Sequence, residues 1–248
     1  YFKSDTERQG LFFPDVQDPK RILYEFEGDV ETTFTETIRL LQGFRYARYI
    51  PLLYYSGSKQ LTEFERQQQR NVGGFMKGIL IKRLESSFYA FRKSIRRFIE
   101  SYELFIAMLN KGTVYISKYA DVYELLDNDD FDALEDLIEE DKAQKYPSKD
   151  FRGGFAEDLQ HDLDALRQVE LLWRTIDDDP KIESLIRELE GDGDLRGRRL
   201  IIFTESRETG EYLFDQVNRH YPGKVLFMSS QGGQVGDPPL THNPELAR

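Results

Sequence analysis

From Leu84 onward, apolar residues recur at Phe88, Phe91, Ile95, Phe98, Tyr102, Phe105 and Leu109, in steps of 4, 3, 4, 3, 4, 3 and 4. That is a heptad seam held for about four heptads. It predicts one long helix over 75–109, buried along one face and free of Gly and Pro after Gly78. Lys111 and Gly112 read as its stop. Ahead of it, 22–26 alternates well enough for a strand. Helical spacing then begins after Asp29 or Thr32, runs through Phe34, Ile38 and Leu41, and should kink or end at Pro51. A polar helical stretch, EFERQQQRN, leads to Gly73 and Gly74. Beyond the seam, VYIS fits an edge strand and DVYELLDNDDFDALEDLIEED an acidic pair of short helices. KYPSKDFRGG reads as a loop, and 158–176 as an amphipathic helix burying Leu159, Leu163, Leu166, Leu172 and Trp173. The run DDDP then starts a helix over 181–189.

After residue 194 the pattern changes. RRLIIFTES is a short continuous apolar run bounded by turn signals, the mark of a strand buried on both faces. An amphipathic helix follows with Tyr212, Leu213 and Val217 inward, then Pro222-Gly223 and the apolar run KVLFM. Together these predict a parallel βαβ unit. The expected fold is α/β overall and predominantly helical: a long-helix bundle region over 1–194, then a partial parallel unit over 195–248.

Composition narrows the partners. The 248 residues carry a net charge of -11, so most of the surface repels nucleic acid and anionic membranes. Cysteine is absent and no apolar run approaches the roughly 20 residues that cross a bilayer. Disulfides, thiolate metal sites and a membrane association are not expected, and a cytoplasmic location is. The chain starts on Tyr1 and ends in a Gly/Pro-rich stretch with no closing element, so we expect an internal portion of a longer protein.

Several familiar constellations are incomplete. The glycines of Gly73-Gly74-Phe75-Met76-Lys77-Gly78 have phosphate-loop spacing, yet Ile79 and Leu80 stand where Lys and Ser/Thr are needed. Asp127-Asn128-Asp129-Asp130 lacks the sixth-position Gly of a calcium loop, and Ile138 replaces its bidentate Glu. His161, His220 and His242 lie far apart, so no metal site is expected. No complete catalytic constellation is present.

Two positive signals remain. Between 77 and 97 stand seven cations (Lys77, Lys82, Arg83, Arg92, Lys93, Arg96, Arg97) and one anion, Glu85. A local +6 in a -11 chain leaves -17 elsewhere, and such segregation suits a polyphosphate-facing surface. The same cations could instead pair with the acidic stretch at 121–141. The second signal is IIFTESRETGEYL, where Thr204, Glu205, Ser206 and Arg207 sit at a strand end just before a helix. Hydroxyls and free N–H groups there suit a phosphate, although ordinary N-capping explains the hydroxyls without any ligand.

IIFTESRETGEYL resembles motif IV of superfamily-two helicases and Swi/Snf-type ATPases, which opens their second RecA-like lobe. The upstream RNVGGFMKGILIKRLESSFYAFRKSI resembles the KRLESS segment of a bacterial group related to the HepA/RapA ATPases. FRYARYIPLLYY, GTVYIS and the acidic helices resemble that group too, so the likeness spans roughly 12–228. It implies an ATP-dependent motor acting on nucleic acid, with double-stranded DNA the expected partner. It also implies that 1–194 is the inter-lobe helical region and 195–248 the start of the RecA-like lobe. ATP and Mg2+ would serve the full-length parent and would not bind this part tightly, and no catalytic residue is expected in it. Nucleic-acid contacts would come from Phe203, Thr204, Glu205, Ser206 and Arg207, with Lys82, Arg83, Arg92 and Arg96 adding charge. The competing expectation, from a different class, is a non-catalytic helical module that binds a protein partner or regulates one.

Overall fold

The structure, a computed structural model, describes residues 18–57, 62–117, 143–177, 179–193, 195, 197–204, 206–229 and 232–236. The acidic stretch at 121–141, the Asp127–Asp130 cluster, Glu205 and His242 lie outside them. Among the described residues the fold is mostly helical, with six α-helices and two small antiparallel sheets.

Helix α1 spans Gly28–Gln42 and ends at Gly43, well short of Pro51. The aromatic-basic run that follows is not α-helical. It folds as two 3-10 turns, Ala47–Tyr49 and Pro51–Tyr54, entered through Tyr46 at a left-handed φ of 57°. One buried carboxylate holds that bend. Asp162 Oδ1 accepts the Arg45 N–H at 2.7 Å, and Oδ2 accepts the Ala47 N–H at 2.9 Å and the Tyr102 hydroxyl at 2.9 Å. Burial pushes the Asp162 carboxyl above its usual range, while those donors pull it back down. The same burial, with the carboxylate beside it, raises the Tyr102 hydroxyl.

The expected single helix over 75–109 is two helices. Helix α2, Glu63–Ser86, starts on a capping box in which Thr62 and Glu65 satisfy each other's N–H groups. It runs straight through Gly73 and Gly74, so these glycines lie inside the helix and not at its start. A Cβ on Gly73 would sit 2.9 Å from Ile50 Cγ2, which explains the missing side chain. Ser87 then leaves the helix for one residue (φ -162°, ψ 134°), and its hydroxyl accepts the Ala90 N–H at 3.3 Å. A serine can offer its own oxygen in place of a backbone carbonyl, which makes the break cheap. Helix α3, Phe88–Asn110, resumes at once, and the seam carries across because Leu84 and Phe88 are both buried.

Helix α4, Phe155–Trp173, is the main cover for that seam. Trp173 meets Phe88 and Phe91 with ring centroids 4.6 and 5.4 Å apart, and Phe155 meets Phe105 at 5.9 Å. Each such fully buried ring contributes about 1.5–3 kcal/mol. Trp173 also donates Nε1–H to Thr37 Oγ1 at 2.8 Å, tying α1 to α4. Strand β1, Thr113–Ser117, forms as expected. Its antiparallel partner β2, Ala143–Pro147, includes the start of the stretch read as a loop.

The core divides near residue 180. Helix α5, Pro180–Gly191, is capped by Asp179, whose carboxylate accepts the Ile182 N–H at 3.3 Å. Its Ile182, Ile186 and Leu189 cluster with Val217 of helix α6, Arg207–His220, apart from the larger core. The parallel βαβ unit is not seen. Residues 199–204 form no strand, and Phe203 is 89% exposed. The KVLFM run yields strand β3, Leu226–Ser229, paired antiparallel with strand β4, Gly232–Val235. A hairpin closes a far shorter loop than a pairing with 199–204 would, so the local partner wins. The strand expected at 22–26 is likewise absent from the described pairings.

Candidate functional site

The two stretches singled out in the sequence meet. Ser206 caps α6, its Oγ accepting the Thr209 N–H at 3.4 Å. The Arg83 guanidinium, near the end of α2, donates to that same Oγ across 123 residues of chain. One turn of sequence on, Ser86 Oγ and Thr209 Oγ1 share a hydrogen bond of 3.0 Å. Arg83 has a side chain only 4% exposed, so it is an internal tie and not a surface cation. Burying a guanidinium is costly unless acceptors surround it, and the α6 start supplies them.

Glu208, in the first turn of α6, gathers the rest of the basic face. It pairs with Arg97, lies 3.7 Å from Lys93 and lies 3.8 Å from Arg83. Lys93 and Arg97 are one helical turn apart and therefore share a face of α3. A stacked ring pair borders this cluster: Tyr89 and Tyr212 lie 5.1 Å apart and 6° from parallel. The Tyr212 hydroxyl is raised above its usual pKa by burial first, and then by the Asp179 carboxylate with which it hydrogen bonds. Arg92 donates to the Ile176 carbonyl at 2.8 Å, and Arg96 lies 3.5 Å from Glu170 on the surface. Among the described residues, then, several of the cations face acceptors on α4, α6 and the loop before α5.

A cleft of about 520 Å³ opens beside this joint. Lys82, Ser86, Lys181, Thr204, Thr209 and Tyr212 supply polar groups to its wall. The Lys181 ammonium donates to the Glu85 carbonyl at 2.8 Å, tying α5 to the end of α2. Thr204 accepts the Ser206 N–H at 3.2 Å, a local turn that presents the hydroxyl at the cleft edge. Exposed on its wall are Lys82, Phe203 and Thr204, while Arg207, exposed at the start of α6, pairs with Glu211 at 2.9 Å.

The nine expected site residues thus fall into groups. Arg83 and Ser206 touch each other inside the joint. Lys82, Phe203 and Thr204 lie together on the cleft, Arg92 and Arg96 lie further along α3, and Arg207 starts α6. Glu205 is not described. Sequence reasoning passed over Glu208, Thr209 and Tyr89, and took Asp179 only as part of the run that starts α5. An acid in the first turn of a helix is ordinary, and only the opposed i, i+4 pair Lys93/Arg97 hinted that it had a distant partner. No group of acidic residues and histidines suited to a metal occurs among the described residues. Compared with protein-family models, curated proteins and solved structures, the chain matches none.

Proposed function

We propose that this chain is the inter-lobe region and the start of the second lobe of an ATP-dependent nucleic-acid translocase of Swi/Snf type. The observation that carries the reading is the joint itself. The two blocks that resemble that group, KRLESS and FTESRET, are bound to each other through Arg83–Ser206 and Ser86–Thr209. In a motor built this way, movement of the C-terminal block on nucleic acid passes through α6 into the α2–α3 break. In this reading the exposed Lys82, Phe203, Thr204 and Arg207 contact the nucleic-acid backbone, whereas Arg83 holds the joint. Arg92 and Arg96 extend the basic surface along α3.

The Gly73–Gly78 segment does not fit the phosphates of a nucleotide. The Gly73–Gly78 spacing lies within α2, and Ile79 and Leu80 are buried there, so no loop of N–H groups is offered to phosphates. ATP and Mg2+ belong to the parent in this reading.

Fluorescence anisotropy with a labelled DNA duplex tests the proposal. Binding should weaken steeply between low and moderate salt and should be lost in Lys82→Ala/Arg207→Ala. Failure to bind even at low salt would contradict it. The second reading, a module that docks a protein, draws on the exposed run Leu200, Ile201, Ile202 and Phe203.

A further inference from the structure

We propose that Arg83, Lys93 and Arg97, with the Ser206 hydroxyl, form a phosphate-group site whose present occupant is the Glu208 carboxylate. Three cations from two helices converge on one carboxylate, and the start of α6 adds its hydroxyl beside them. Carboxylate and phosphate ask for the same donors, and a guanidinium serves both in bidentate fashion. Side-chain exposure rises from 4% at Arg83 through 13% at Glu208 and 20% at Arg97 to 47% at Lys93. The cluster is therefore closed at its floor and open on the Lys93 side, where an incoming anion would enter.

Glu208 is tethered, so it competes as a ligand of high effective concentration. A free phosphate group must displace it, and wild-type affinity should be low for that reason alone. Displacement would also release an anchor of α6, linking phosphate arrival to the docking of the C-terminal block. The inference rests on the proposed function for the source of the phosphate, a nucleic-acid backbone. The cluster itself is indifferent to source.

Calorimetric titration with inorganic pyrophosphate, and separately with a short DNA duplex, tests this on the wild type, Glu208→Gln, Glu208→Asp and Glu208→Gln/Arg97→Ala. Removing the competing charge in Glu208→Gln should tighten pyrophosphate by about tenfold or more, the scale of one charge-assisted contact. Glu208→Asp keeps the charge and should stay near wild type, and adding Arg97→Ala should abolish the gain. Equal affinity in wild type and Glu208→Gln would overturn the proposal. So would a gain that survives Arg97→Ala, or one matched by Glu208→Asp, because loosened packing would then explain it. Near-ultraviolet circular dichroism on each variant checks that the Tyr89–Tyr212 stack persists, and its loss in Glu208→Gln would also count against displacement as the mechanism. A pyrophosphate gain without any duplex binding would leave the site standing and sink the nucleic-acid reading. Duplex binding with no dependence on Glu208 in either titration would do the reverse.

Discussion

The Arg83 guanidinium reaches the Ser206 hydroxyl from the far end of the basic helix, and the two residues are 123 positions apart. Their contact turns a charged helix face into a joint. A buried arginine whose partners sit on another helix fixes how that helix docks, since few other arrangements satisfy its donors.

Removing the arginine should therefore cost more than removing a surface cation. Arg83→Met should destabilise the chain by about 2–4 kcal/mol, because Ser206 and Glu208 lose a buried donor. Arg96→Met, at an exposed pair, should stay within about 1 kcal/mol. Urea unfolding of both variants measures the difference.

Asp162 offers a pH test. Asp162→Ala strands the Arg45 and Ala47 N–H groups and the Tyr102 hydroxyl, and should cost roughly 3–5 kcal/mol. Asp162→Asn isolates the charge. The carboxyl is harder to ionise folded than unfolded, so the folded state holds its proton more tightly. As pH falls through the raised folded value toward the ordinary 3.8, wild type should gain stability relative to Asp162→Asn. Above that window the difference should be flat, and denaturant midpoints of the pair across acidic pH read it directly.

The adjacent glycines of α2 should respond with opposite signs. Gly74 faces open space, so Gly74→Ala should stabilise by about 0.5–1 kcal/mol through helix propensity. Gly73→Ala places a Cβ 2.9 Å from Ile50 Cγ2, a stiff β-branched carbon. It should destabilise by about 1–3 kcal/mol, the cost of overpacking. Ile50→Ala should relieve the clash, and thermal melts of the three variants would show it.

Trp173→Phe keeps most of the ring packing while deleting the donor to Thr37. A loss of about 1–2 kcal/mol is expected. Thr37→Val on top of it removes only the bond from that hydroxyl to the Thr33 carbonyl at 2.7 Å, a further loss of about 1 kcal/mol.

Much of this architecture was legible. The apolar seam located the core face and its α4 cover, and Asp179-Pro180 marked the start of α5. The break at Ser87 was not legible, because the seam period runs through it unchanged and only the hydroxyl's choice of partner ends the helix. Strand β2 carries the polar sequence AQKYP and exists because β1 lies beside it. The left-handed Tyr46 depends on a carboxylate 116 positions away in sequence, as Asp162 is to Tyr46. At the site, the cations and the FTESRET block each stood out alone. Their meeting is a tertiary fact, and Glu208 acquires significance only once α6 is docked.

A double-mutant cycle between Arg83→Met and Ser206→Ala tests the joint most directly. Residues in direct contact within one network couple by about 0.5–3 kcal/mol. The structure predicts a coupling energy in that range from urea unfolding, with the double variant less destabilised than the sum of the singles. Additivity to within about 0.3–0.5 kcal/mol would mean that the two blocks do not grip each other, and would contradict the account.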